Sequence, residues 1–373
     1  MHSNSSDFSL KLFGQLAKDE HAKDKSKNVL VSPFSAYFAL SMALNGAAGK
    51  TREQMARVLG TTADEVDRMN ETNAEIMKAL SANDKVQLEV ANAIYSDESA
   101  PFKKEFIDKC EQSYQSEAHS EDFGNPDVVR QINAWCDQKT HGKIKEILKK
   151  LSRNEIVVLL NAIYFKGTWQ HTFEKSATQD DQFTTLGGDK CPCKMMHQSG
   201  QTMYFQGSNF QSVSLPYAGG KQRMYIFLPN EGVNLAAFEG EFTKGNWSRW
   251  TKSYGGAQVD LSLPKFKIEY SATLNAVLQA MGMAGAFQSG ADFSKMISVP
   301  AYISRVLQKT YMDVNEEGTE AAAVTAVVMT KRSVSAAPPR VVEFRVDRPF
   351  VLALVDEPTN QILFLGAVVK PAV

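Results

Sequence analysis

Residues 33–44, PFSAYFALSMAL, are apolar on almost every side of a helix, and they sit between Ser32 and Gly46. A capping serine, a proline in the first turn and a glycine past the end mark the boundaries of that helix. A helix without a polar face cannot lie on a surface. It requires packed layers around it, and only a large core supplies them. The chain has 373 residues and carries neither an internal repeat nor a Gly-, Ser- or Pro-rich linker that would divide it. One mixed α+β domain is therefore expected.

The remaining patterns supply the layers. Val86, Leu88, Val90 and Ile94 alternate as in a half-buried strand, and Val259, Leu261 and Leu263 repeat the pattern until Pro264. Residues 156–165 are apolar throughout apart from Asn161 and predict a strand buried on both faces. Two apolar strands, 349–355 and 362–369, flank the turn-forming stretch Asp356 to Asn360. Thr51 with Gln54 reads as a capping box opening a second helix, which Gly60 ends.

Several function classes are disfavoured. The net charge of −1 gives no field for nucleic acid or a membrane surface. The chain has no G-x-S-x-G elbow and no H-E-x-x-H, and Gly46 to Thr51 lacks phosphate-loop spacing, so catalysis is not expected. The four cysteines, Cys110, Cys136, Cys191 and Cys193, are too few and too irregular for a disulfide framework. Cys191, Cys193 and His197 lack chelating geometry if they lie in a strand, so no metal or other cofactor is expected. The first residues show no signal peptide, which as written implies the cytosol, or the extracellular space if the sequence is a trimmed mature form. Sequons at Asn4, Asn70 and Asn246 matter only on secretion.

Residues 316–340, EEGTEAAAVTAVVMTKRSVSAAPPR, fit none of these elements. Read alone, the run is a flexible Ala-rich connector. Yet Thr319, Ala321, Ala323, Thr325 and Val327 form a small, uncharged series at period two, so one face of this segment could enter a sheet without burying a charge. Lys331-Arg332-Ser333 in an exposed loop would be cut by any trypsin-like enzyme. That is either a liability or a purpose.

From Asn28 onward the chain resembles the serpin family. The motifs are NVLVSPFSAYFALSMALNGAAGKT at 28–51, NAIYFKGTW at 161–169, LSLPKFKIE at 261–269, VNEEGTEAAAVTAVV at 314–328, and DRPFVLALV with ILFLGAVVKP near the end. The resemblance implies an α+β serpin fold with three β-sheets, about nine helices and an exposed reactive-centre loop within 316–339. It implies a suicide-substrate inhibitor of a trypsin-like serine protease, which it traps covalently when the cut loop inserts as a new strand of the main sheet. Insertion of roughly 15 residues carries the protease about 50 Å at ~3.3 Å per residue.

Glu316 to Arg332 is 17 residues, the family spacing from hinge acid to scissile residue. Arg332-Ser333 is then the reactive bond, with Lys331 as the alternative scissile residue. The hinge runs through Glu316, Glu317, Gly318, Thr319, Glu320, Ala321, Ala322 and Ala323. The resemblance pairs Lys265 with Glu316 at the breach above the sheet and places Ser32, Ser35, Asn133, Asn161 and Gln308 at the shutter where the sheet opens. Gln308 departs from the family, which mostly has histidine there; glutamine keeps the hydrogen bonds and loses the titration. Glu65 to Ser81 contains only Arg68 and Lys78 as basic residues, so glycosaminoglycan dependence is not expected. The expected state is a monomer able to form loop-sheet polymers. The alternative is a non-inhibitory serpin acting as chaperone or ligand carrier.

Overall fold

The computed structural model describes residues 3–81, 85–319 and 341–371. The apolar helix, α2 (Pro33–Gly46), follows α1 (Ser3–Lys23) and the short strand β1 (Val29–Val31), and all of α2 except Asn45 is buried. Ser32 caps it, accepting a hydrogen bond from Ser35 N at 3.2 Å. On one side α1 packs against it, with Phe8 edge-on to Tyr37 at 5.8 Å. On the other lies a six-stranded sheet in the order β10 (Phe266–Thr273), β11 (Ile303–Asn315), β12 (Gly318–Thr319), β4 (Val157–Thr168), β2 (Val86–Asp97) and β3 (Glu117–Glu121).

β4 is the strand expected to be buried on both faces. Val157, Leu159, Ile163 and Phe165 enter the main core with α2, while Val158, Leu160, Ala162 and Tyr164 enter a second cluster under α6 (Pro126–Lys139). Alternation cannot show in such a strand, because neither face meets water.

Nine strands form the second sheet: β1, β5 (Gln179–Thr184), β6 (Lys190–Gln206), β7 (Phe210–Pro216), β8 (Gln222–Pro229), β9 (Gly255–Pro264), β13 (Val342–Arg345), β14 (Phe350–Asp356) and β15 (Gln361–Val368). The resemblance implied three sheets; hydrogen bonding among the described residues gives two. The reason is β6, whose long run pairs with β5 and β9 and whose last residues pair with β7, joining two leaves into one.

The other helices are α3 (Gly49–Val58), α4 (Val66–Ser81), α5 (Lys104–Tyr114), α7 (Leu235–Glu239), α8 (Lys244–Thr251) and α9 (Asn275–Leu278), making nine α-helices among the described residues. The expected capping box on α3 is absent. The helix starts at Gly49, with Ala48 at its N-cap and no side-chain cap. Thr51 Oγ1 instead accepts from Asp292 N at 2.9 Å and Gln54 Oε1 from Gly285 N at 3.0 Å. Both residues tether the 285–292 segment. No described helix is long and apolar enough to cross a membrane.

Candidate functional site: a seam between two strands and the hinge above it

β4 and β11 run parallel and pair from Val157 with Ile303 to Tyr164 with Tyr311. Across this seam the register sets Asn161 opposite Gln308, and on the other side of β4 it sets Asn92 opposite Asn161. Three amides therefore stand in a row over β2, β4 and β11, all buried. Gln308 Nε2 donates to Asn161 Oδ1, and Asn161 Nδ2 donates to both Ser35 Oγ and Asn92 Oδ1.

The capped end of α2 closes the row. Gln308 Oε1 accepts from Ser32 N at 2.9 Å while its Nε2 donates to Ser32 O at 2.8 Å. Ser32 Oγ donates to Leu363 O at 2.7 Å, and Ser35 Oγ donates to Asn92 Oδ1 at 3.1 Å. Each polar group in this apolar surrounding has its partner, as burial demands. Parting β4 from β11 must break the Gln308–Asn161 bond.

Above Tyr311 and Tyr164 the two strands are held apart by β12. Thr319 pairs with Val314 of β11 and with Gly167 of β4, antiparallel to both. Gly318 is required here: a Cβ would lie 2.0 Å from Gly167 O, and its φ is +150°. Thr319 is fully buried, with its hydroxyl 2.6 Å from that of Tyr217. Tyr217 stacks on Trp169 at 4.5 Å, and Trp169 Nε1 donates to Asn315 O at 3.0 Å.

The acids before Gly318 are clasped in turn. Lys265, in the turn between β9 and β10, puts Nζ 2.9 Å from Glu316 Oε2, and Thr178 Oγ1 donates to Glu316 Oε1 at 2.8 Å. Burial pushes the Glu316 carboxyl up, but the Lys265 and Thr178 hydrogen bonds, a backbone hydrogen bond and the Lys265 charge outweigh it, leaving the pKa below its usual value. Lys175 pairs with Glu317 at 2.5 Å, and Trp169 N and Phe173 N donate to the carbonyls of Glu317 and Glu316, each at 2.9 Å.

The structure thus brings Ser32, Ser35, Asn161 and Gln308 together, and pairs Lys265 with Glu316 as the resemblance implied. Asn133 is a correction. It lies on α6, where Nδ2 donates to Leu148 O at 2.7 Å and Oδ1 accepts from Ile147 N and Leu148 N, so it pins the 147–148 segment instead of joining the seam. Asn92 takes the place assigned to Asn133. Its signal was available: in the alternating series Leu88, Val90, Asn92, Ile94 of β2, position 92 is the one amide among apolar residues. Glu320, Ala321, Ala322, Ala323, Lys331, Arg332 and Ser333 lie outside the described residues. The cysteines are free thiols, and no group of three metal-ligating side chains occurs among the described residues.

A family model described as Serpin (serine protease inhibitor) matches residues 3–371. Serpin B6 of Macaca fascicularis is 37% identical over 363 residues, covering 94% of this chain and 95% of its own length. Iris of Ixodes ricinus is 36% identical over 369 residues, covering 97% of this chain and 96% of its own. Among solved structures, native tengpin, a thermophilic serpin, is similar with a TM-score of 0.89 at 32% identity, over 99% of this chain and 94% of that one. Thyroxine-binding globulin in complex with thyroxine has a TM-score of 0.88 at 27% identity, over 100% of both chains. With the match running through the seam, the hinge and nearly every residue between, this chain belongs to the serpin (serine protease inhibitor) family.

Proposed function

We propose that this serpin inhibits trypsin-like serine proteases as a suicide substrate, cleaved at Arg332-Ser333, with Lys331-Arg332 as the runner-up bond. The observation that carries the reading is β12, two residues of the hinge already seated between β4 and β11. They mark the path a longer strand would follow. A strand continued along that path is antiparallel to both neighbours and replaces one parallel pairing by two antiparallel ones, which are the more stable kind. Each added backbone hydrogen bond contributes about 0.5–1.5 kcal/mol net.

The protease serine attacks the Arg332 carbonyl, the amine of Ser333 departs, and an ester joins the enzyme to Arg332. With Gly318 and Thr319 already in place, the residues from Glu320 to Arg332 remain to insert, moving the acylated serine about 40 Å at ~3.3 Å per residue. Hydrolysis of the ester needs an oxyanion hole aligned to a fraction of an ångström, which tension on the serine deforms. The enzyme stays acylated.

The second reading, a non-inhibitory carrier, has thyroxine-binding globulin as its parallel. The small, uncharged series from Thr319 to Val327 supports the inhibitory reading over it. Incubation with trypsin tests the choice. An SDS-resistant complex and a released peptide beginning at Ser333 are expected; cleavage without complex supports the carrier, and a peptide beginning at Arg332 moves the bond to Lys331.

A further inference from the structure

A cavity of about 190 Å³ lies between α2, α4 and the first residue of β15, remote in sequence from every hinge residue. Its apolar wall is made by Met69, Ile76 and the ring of Tyr37, all at least nine-tenths buried. Two polar groups of that wall lack partners. Among the described residues the Tyr37 hydroxyl makes no hydrogen bond, and burial alone pushes its pKa up to about 12. Asn73, at 2% exposure, has an Nδ2 without a partner. It lies near the Tyr114 hydroxyl, whose oxygen already accepts from Asn45 Nδ2 at 3.3 Å. At the rim, Arg68 stands 3.9 Å from Glu65, too far for a hydrogen bond.

The Asn73 amide is buried, and a buried donor without a partner costs free energy unless something fills its valence. Water alone fits the donors but not the wall. An apolar cavity of about 150 Å³ stays dry and takes a benzene ring. The space here suits one ring carrying a short polar arm, and Tyr37, Asn73 and Arg68, which all line it, are donors.

We propose that this cavity is a binding site for a small monocyclic organic acid, its ring against Met69, Ile76 and Tyr37 and its carboxylate taking the Arg68, Tyr37 and Asn73 donors. The site is independent of protease inhibition, so its failure and that of the inhibitory reading are separable.

The test titrates the full chain with 3-phenylpropionate and with its neutral analogue 3-phenylpropanol by calorimetry. The acid should bind saturably, about tenfold more tightly than the alcohol, since a charge-assisted hydrogen bond distinguishes them. Arg68→Ala should reduce the acid to the affinity of the alcohol and leave the alcohol unchanged. Ile76→Trp, which fills the cavity, should abolish both. Arg68 has 58% of its side chain exposed, so its variant keeps the test valid if Ile76→Trp does not fold. No saturable binding of either probe at about 10 mM means the cavity holds water only and overturns the proposal. Equal affinity for acid and alcohol, or acid binding unaffected by Arg68→Ala, overturns it as well.

Discussion

Replacing Thr325 by valine removes one hydroxyl and little volume, and the register of β12 says where that hydroxyl is needed. Thr319 sits opposite Gly167 on β4 and Val314 on β11, antiparallel to each. Each step along an inserting loop therefore moves one residue back on both neighbours, and Thr325 arrives opposite Asn161 and Gln308. The parity agrees, because Thr319, Asn161 and Gln308 are all buried on the α2 side of the sheet. Insertion leaves β4 and β11 about 9.5 Å apart, twice the strand spacing, so the Gln308–Asn161 bond is lost. The Thr325 hydroxyl can donate to Asn161 Oδ1 and accept from Gln308 Nε2, restoring both. Valine can do neither, and stranding the Asn161 acceptor costs roughly 1–3 kcal/mol. Thr325→Val should therefore lower the stability of the trypsin-cleaved protein by about that amount in guanidinium unfolding, while the uncleaved protein is unchanged and Thr325→Ser restores the parent value. An equal loss in the uncleaved form, or no loss in the cleaved one, would refute the register argument.

The Lys265–Glu316 pair predicts two further results. Glu316→Lys sets like charges at the top of the seam and should speed loop-sheet polymerisation on mild heating, read on native gels; a rate equal to the parent would count against the pair. The folded pKa of Glu316 is depressed, so the clasp contributes fully above the ordinary glutamate value of 4.5 and is lost as pH falls through the lower folded value. Polymerisation should accelerate over that acid window in the parent and show no such step in Glu316→Gln. Thr319→Arg cannot keep β12 seated against Tyr217, and insertion would bury an unpaired guanidinium at a cost of several kcal/mol. It should be cleaved at the parent's bond without trapping trypsin, and one-to-one trapping would sink the insertion mechanism. Asn70, part of a sequon, is 3% exposed and bonded to Asn45 and Tyr114, so a glycan added before folding excludes the native packing. Secreted expression should yield protein that is glycosylated at Asn70 and misfolded, with Thr72→Ala recovering the fold; a folded protein bearing a glycan at Asn70 would contradict this.

The elements legible in the sequence are those that one local pattern determines. The apolar circumference of 33–44 and the two-faced burial of 157–165 each leave one environment open to them, and the structure provides it. The seam was legible only in part, because its residues meet through tertiary register. Asn161 and Gln308 came from motifs, but Asn92 is an amide in a buried strand and Asn133 one on a half-exposed helix, and only the pairing of β2 with β4 brings Asn92 to the row. Thr51 and Gln54 have capping-box spacing, yet a helix that starts at Gly49 places them inside its first turns, where the 285–292 segment claims their side chains. Thr319 opens the small, uncharged series that could enter a sheet, and it is already buried there, because Gly318 lets the chain pass against Gly167. A series of small residues shows that a strand can enter a sheet and says nothing of how far it has gone.

The crystal structure of the trypsin-cleaved protein is the most direct measurement. Residues 320–332 should form a strand between β4 and β11, with Thr325 between Asn161 and Gln308 and Arg332 at the end of the seam farthest from Thr319. A cleaved protein in which Gln308 still bonds Asn161 across an unopened seam would contradict the account.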